Sequence, residues 1–435
     1  MLLAAACVLA IAPTTPTFGA DETELIHQVP AKVSDRVTAD GLSSIKFADR
    51  SGATLIVHVG TTDGKLEISL ARGGRRLVHG LARDAAAATL ARRAIAAAGL
   101  YGLASVEVFG DRTKLPYADN MVNLLICEDD VARTELLRVL APNGEAYLKR
   151  GGDWTVIKKP RPTTMDEWTH FDHGPDGNAL SRDTQVAPPR QMQWISGIQE
   201  IKLGGNPAGF SGSSGIRLAG GRVFSDWTTG GRIKQRYGAW DAFNGLPLWS
   251  VETPYKGRRR RLHIVADGEN RLFAVISDQV AETKVKDRWP NAAAALIVCF
   301  DFKSGKINWK SSEIAGKHVG QIIARGKYLG IFAGGGIGAG KNPFTANMLA
   351  ASGKLLWTGT FKTEWNRAGY SMIWRDGVIY YADPWKIFKL DPKTGVETHV
   401  YLLPAGPYRR NPYASQLFLA CAIPGPINGS LFATG

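Results

Sequence analysis

Between residues 53 and 158 the chain alternates short apolar runs with amphipathic stretches. Ala53 to Val59 reads as a buried strand, Gly60-Thr61-Thr62-Asp63-Gly64 as a glycine turn, and Leu66, Ile68, Leu70 and Ala71 as the start of a helix. The unit then recurs. Arg76 to Leu81 is a second strand, and Asp84 caps an alanine-rich helix that ends at Gly99, where a left-handed cap is expected. Ser105 to Phe109 and Met121 to Cys127 are further strands, Val131 to Leu140 a helix, Pro142-Asn143-Gly144 a turn, and Glu145 to Lys149 a fifth strand. One more candidate, Trp154 to Lys158, follows. Strands alternating with helices predict a parallel sheet covered on both faces.

The pattern changes after residue 190. Asp-x3-Gly-x3-Trp occurs as Asp241, Gly245, Trp249 and again as Asp301, Gly305, Trp309. A third copy keeps Gly353 and Trp357 with Leu349 at the Asp position, and a fourth keeps Asp391 and Gly395 with His399 at the Trp position. The glycines are 60, 48 and 42 residues apart, too irregular for a solenoid but suited to propeller blades of four strands with variable loops. An apolar strand opened by a turn precedes each copy: GGRVFSD at 220, ENRLFAV at 269, RGKYLGIF at 325 and RDGVIYYAD at 375. A fifth opening, NGSLFATG at 428, has no closing element, so four blades and part of a fifth are expected. The glycine suits a tight turn, the Asp can bond the turn backbone, and the Trp can pack between neighbouring blades.

At 435 residues the chain exceeds one ordinary core, in agreement with two unlike halves. With 44% hydrophobic and 21% charged residues it reads as folded rather than disordered, and 49 glycines and 12 tryptophans fit the turn-rich second half. The formal net charge of +14 favours acidic neighbours. Nucleic acid is not an expected partner: the charges are scattered, and the one dense run, Arg258 to Arg261, falls between repeat elements. Residues 1–20 read as a signal peptide, with the apolar run Leu2 to Ala12 too short to span a bilayer and Gly19 and Ala20 near the cut. No transmembrane segment is predicted further on. Cys127, Cys299 and Cys421 would remain after export; their long spacings exclude a disulfide framework, and there is no CxxC or CxxCH.

Three segments carry a resemblance. VHVGTTDGKLEISLA is similar to the first glycine motif of the class I S-adenosylmethionine-dependent methyltransferases. GDRTKLPYADNMVNLLICED is similar to their acidic loop and fourth strand, and LLRVLAPNGEAYL to the turn into their fifth. Across residues 30–159 this implies a Rossmann-like, methyltransferase-like domain. It implies a cofactor-binding set of Gly60, Asp63, Gly64 and Asp111, in which the glycines admit the cofactor backbone and Asp111 accepts the adenine amino group. The family ends its second strand in a carboxylate that holds both ribose hydroxyls. Here that position is Ala82, while Asp84 is a helix cap, so a degenerate module is expected, with no carboxylate other than Asp111 over the first glycine turn.

Residues 160–190 form a junction. Lys158-Lys159-Pro160-Arg161-Pro162 reads as a rigid linker, and MDEWTHFDHGPDGNALSRD follows. His170, Asp172, His173 and Asp176 fall within seven residues, and His170, Asp172 and His173 are weak candidates for metal ligation without a secure further ligand. The alternative is that Trp168 and Phe171 anchor a turn whose polar side chains bond nearby backbone. The stretch resembles the segment leading into the quinoprotein-like propeller of large exported bacterial proteins that join these same two modules. Residues 191–435 accordingly resemble pyrroloquinoline-quinone (PQQ)-type β-propeller repeats. The quinone itself is not expected, because the family's dehydrogenases stack it on a vicinal disulfide and no adjacent cysteines occur here.

The expected whole is an α/β Rossmann-like domain followed by an incomplete all-β propeller, in an exported protein of the periplasm or cell envelope. Its expected role is binding or scaffolding, with a protein or an anionic ligand on the propeller face. Two alternatives stand beside it: an S-adenosylmethionine-dependent methyltransferase, and a quinoprotein oxidoreductase completed by blades beyond residue 435.

Overall fold

The computed structural model describes residues 54–72, 75–170, 173–178, 180–185, 192–195, 216–229, 234–252, 264–267, 269–277, 295–312, 314, 319–334, 343–361, 372–382 and 386–402. Residues 1–20, read above as a signal peptide, together with Arg258 to Arg261, Phe171, Asp172, Cys421 and the fifth strand opening, lie outside them.

The first half is a six-stranded mixed sheet. Strands β1 (Thr54–Thr61), β2 (Arg76–Ala82), β3 (Ala104–Val108), β4 (Val122–Cys127), β5 (Leu140–Arg150) and β6 (Asp153–Lys158) lie in the order β3-β2-β1-β4-β5-β6. β1 to β5 are parallel and β6 pairs antiparallel with β5. This is a Rossmann-like topology, with its switch point between β1 and β4. Helices α1 (Lys65–Ala71), α2 (Ala85–Ala97) and α3 (Arg133–Val139) connect the strands. Alternation along β1 divides the core. Leu55, Val57 and Val59 face one cluster with Leu125, Leu136 and Val139; Ile56 faces another with Leu70, Ala88 and Ile95.

Local chemistry sets the ends of α2. The Asp84 carboxylate accepts from the Ala87 N–H at 2.8 Å. At the other end Gly99 has φ 69°, its N–H bonds the Ala96 carbonyl and the Leu100 N–H bonds the Ile95 carbonyl, a Schellman cap. The predicted turn at 142–144 is not a separate loop. It is a bulge inside β5, where the register jumps from Leu140 opposite Val122 to Glu145 opposite Leu124, and the Asn143 N–H bonds the Lys159 carbonyl at 2.8 Å.

The second half consists of four separate four-stranded antiparallel sheets. Sheet one holds β7 (Arg217–Ala219), β8 (Arg222–Thr229), β9 (Lys234–Asp241) and β10 (Pro247–Glu252). Sheet two holds β11 (Ile264–Ala266), β12 (Arg271–Ser277), β13 (Ala295–Asp301) and β14 (Ile307–Ser311). Sheet three holds β15 (Val319–Arg325), β16 (Tyr328–Gly334), β17 (Phe344–Ala350) and β18 (Leu355–Phe361), and sheet four β19 (Ile373–Arg375), β20 (Val378–Ala382), β21 (Lys386–Leu390) and β22 (Glu397–Leu402). Consecutive sheets pack face to face. Phe224, Tyr237 and Trp249 of sheet one meet Leu272 and Phe300 of sheet two, whose opposite face places Phe273 and Cys299 against Ile322 and Leu349 of sheet three. Phe332, Phe344 and Met348 of sheet three meet Trp374, Ile379 and Tyr381 of sheet four. Sheets two and three are thus apolar on both faces, each buried large side chain contributing about 1.5–3 kcal/mol.

The turn-and-indole marks repeat in three dimensions. Gly245, Gly305, Gly353 and Gly395 have φ between 71° and 91°. A Cβ on any of them would strike an indole: Trp194, Trp249, Trp309 and Trp357 respectively. The same indoles donate Nε1–H to the carbonyls of Ala242, Phe302, Ala351 and Pro392 at 2.8–3.2 Å. In the third copy the Asp position is not Leu349, as alignment by spacing suggests. That turn is one residue shorter: the Gly353 N–H bonds the Ala350 carbonyl, where the Gly305 N–H bonds Asp301. With fewer turn N–H groups to satisfy, alanine suffices.

Candidate functional site

Two clusters of polar side chains stand out, one in each half. The first lies at the carboxyl ends of β1, β2 and β4, beside the switch point, where open α/β sheets hold ligands. Gly60 has φ 110°, and a Cβ there would lie 3.1 Å from Glu128 Cβ and 3.5 Å from Asp129 Oδ1. Gly64, with φ 79°, faces away from that crevice: a Cβ would lie 2.9 Å from the Ala91 carbonyl on α2, so this glycine permits helix packing. Asp63 is tied to Lys65 by a 2.6 Å ion pair and by the Lys65 N–H. Asp111, past β3, is exposed, and its Oδ1 accepts from both the Thr113 N–H and hydroxyl, which hold its carboxyl below the usual range.

The expectation that only Asp111 would supply a carboxylate there is corrected by Asp129. This residue sits over the Gly60 turn, its Oδ1 bound by Arg83 and its Oδ2 by Arg112 at 2.7 Å. Burial raises the Asp129 carboxyl, but the two guanidinium groups outweigh burial and lower it. Arg112 also donates to the Phe109 and Leu81 carbonyls, so it bridges the ends of β2 and β3. Ala82 and Arg83 therefore occupy the corner where a ribose-binding carboxylate is expected. The run Glu128-Asp129-Asp130 after β4 was the available sequence signal, but nothing in the sequence paired Asp129 with arginines 17 and 46 positions away.

Beneath this crevice lies a buried cluster that sequence reading missed. His58 on β1 contacts Glu67 Oε1 through Nδ1 at 2.6 Å, and its Nε2 is 3.5 Å from Glu128 Oε1. The Thr61 hydroxyl donates to Glu67 Oε1 at 2.5 Å. Burial disfavours a charged His58, yet Glu128 and Glu67 outweigh it and raise the imidazole to about 9. His58 in turn holds Glu128 down at about 2. Gly80 on β2 makes the space: a Cβ there would lie 2.4 Å from Thr61 Oγ1 and 2.8 Å from Glu67 Oε1.

The second cluster is the junction. β7, β11, β15 and β19 are the edge strands of their sheets, and each packs beside the next. Each turns an N–H toward the junction, and acceptors between Trp168 and Pro175 take them in chain order. Leu218 N–H bonds the Trp168 carbonyl at 2.8 Å and Ala266 N–H the Thr169 carbonyl at 3.1 Å. Ala324 N–H bonds His170 Nε2 at 3.1 Å, and Trp374 N–H the Pro175 carbonyl at 2.6 Å. One short segment thus satisfies the same kind of edge in four sheets.

His170 acts here as a backbone acceptor. Its Nε2 lone pair requires the proton on Nδ1, which faces Thr169 Oγ1 at 2.8 Å. Burial, with Arg217 nearby, pushes its pKa down to about 3. His173 Nε2 bonds Asp166 Oδ2 at 2.6 Å, and Asp166 also accepts the Arg182 N–H at 2.6 Å. The ring nitrogens of His170 are therefore both engaged. Among the described residues no group of three or more His, Cys, Asp or Glu is arranged to hold a metal ion, and no helix is long and apolar enough to cross a membrane. Cys127 and Cys299 are buried free thiols.

No family model matches the chain, and no curated protein matches it. Solved structures do. A protein of Methanococcus maripaludis described as an S-adenosyl-L-methionine-dependent methyltransferase is 25% identical, covers 25% of this chain and 52% of its own, and has a TM-score of 0.23. The 4+2 cyclase SpnF is 22% identical over 25% of this chain and 43% of its own, TM-score 0.23. A geranyl diphosphate C-methyltransferase from Streptomyces coelicolor A3(2), solved with S-adenosyl-L-homocysteine, is 15% identical over 25% of this chain and 44% of its own, TM-score 0.23. The chain spans about half the length of these structures, and the similarity is confined to a quarter of it.

Proposed function

We propose that the four sheets are blades of a quinoprotein-type β-propeller, and that the protein is an exported, non-enzymatic binding or scaffold protein carrying a degenerate methyltransferase-like module. The observation that supports this best is the junction: one segment binds the equivalent edge of all four sheets, as a hub does for blades around an axis. Trp194 adds support, since it covers Gly245 as each repeat's indole covers the next repeat's glycine and so stands where a preceding blade would end. On the module side, Arg83 and Arg112 neutralise Asp129 at the corner where a ribose would be held. The basic surplus suits a protein or anionic partner on the blade face.

A second reading, S-adenosylmethionine binding with methyltransfer, is favoured by the open conformation of Gly60 beside the switch point and by Asp111 past the end of β3. Titration calorimetry of the full chain with S-adenosylmethionine and S-adenosylhomocysteine separates the two. The scaffold reading expects no heat of binding up to millimolar ligand. A dissociation constant tighter than about 100 μM would replace it with the second reading.

A further inference from the structure

We infer that the first repeat turn, Asp241 to Leu246, is a dedicated docking element that fastens the α/β module to the sheets by the amino ends of its strands, making the two halves one cooperative unit. In the second and fourth repeats the turn closes on itself. Asp301 Oδ1 accepts the Ser304 N–H and Asp391 Oδ1 the Thr394 N–H, while the Ser304 and Thr394 hydroxyls accept the N–H two residues on. The first turn keeps both jobs and adds outward contacts. Asp241 Oδ1 accepts the Phe243 and Asn244 N–H groups, and Asn244 Oδ1 accepts the Leu246 N–H. This leaves Asp241 Oδ2 to accept from Asn123 Nδ2 at 2.9 Å, and Asn244 Nδ2 to donate to Asn123 Oδ1 at 2.8 Å and the Met121 carbonyl at 3.0 Å. A serine or threonine hydroxyl has no such second arm.

The hydrophobic position changes in the same sense. Leu246 packs against the module core, where the second and third repeats have Lys306 and Lys354 and the fourth an exposed Val396. Arg75 completes the contact, donating to the Leu248 carbonyl at 2.9 Å. Asn123 also accepts the Leu55 N–H at 2.9 Å, so the same amide reaches into β1. All these module residues sit at the starts of β1, β2 and β4, whereas Gly60 and Asp129 are at the far ends, about 17 Å away along the strand. Docking therefore leaves the carboxyl-end crevice facing outward.

The full chain tests this. Asn244→Ser with Leu246→Lys installs the residues of the second repeat. Scanning calorimetry should show one transition for the parent and two for the variant. Hydrogen exchange of the module amides should rise at least tenfold, with sheets two to four unchanged. Asn123→Ala, made from the module side, should reproduce the split if the double variant fails to fold. Two independent transitions in the parent, or one unchanged transition in both variants, would overturn the inference.

Discussion

A single missing methyl group makes room for a charged cluster in the interior. Gly80 leaves room for the hydroxyl of Thr61 and the carboxylate of Glu67, and through them for His58. Gly80→Ala is expected to lower stability by about 1–3 kcal/mol, as an overpacked site does, read from the midpoint of a denaturant melt. His58→Leu should cost about 3–5 kcal/mol, because it leaves Glu67 buried without its counter-charge; a smaller loss than Gly80→Ala would contradict that role. At the junction, His170→Phe removes the acceptor of the buried Ala324 N–H, and a loss of about 1–3 kcal/mol is expected. A metal-binding role would instead show as zinc-dependent stabilisation of the parent chain.

At the scale of elements, the turn and its indole act as one device. The glycine's positive φ and missing Cβ let the preceding indole lie flat on the turn, and the indole N–H ties the two repeats. Trp249 joins sheets one and two and is buried, so Trp249→Ala should cost about 3–5 kcal/mol. Gly305→Ala should approach that cost at the same interface, because its Cβ would strike the Trp249 ring as well as force a left-handed backbone. Differential melts of the two variants and their combination should be markedly non-additive, since both act on one contact.

For the whole molecule, two histidines titrate in opposite senses and so mark the two halves. His58 is raised from 6.5 to about 9, so its contribution is complete below pH 6.5 and is lost as pH rises through 9. His170 is lowered from 6.5 to about 3, so its contribution is complete above pH 6.5 and fades as pH falls toward 3. Burial also lowers His79, which adds to the acid-side loss. Urea melts from pH 9.5 to 4.5 should therefore show a maximum near pH 6.5 with losses on both sides. His170→Phe should flatten the acid side without abolishing it, and His58→Leu should flatten the alkaline side.

Much of this was present in the sequence because it is local. Strand and helix periods, the Asp84 cap, the Gly99 cap and the turn glycines each follow from a few neighbouring residues, and so the α/β order and the four repeated sheets could be read directly. The junction was legible as unusual but not as a hub, since His170 acquires its meaning from an N–H 154 positions away. The third repeat misled because its turn is one residue shorter, which shifts the spacing while the glycine and indole still meet. Asp129 with Arg83 and Arg112, the contact of His58 with Glu128, the room that Gly80 leaves for Glu67, and the docking amide Asn123 all join residues remote in sequence. Their charges and hydrogen bonds became partners only when strand order brought the ends of β1, β2 and β4 together. Local torsion and burial preferences are written in the chain, whereas pairing of distant polar groups is decided by the topology that closes over them.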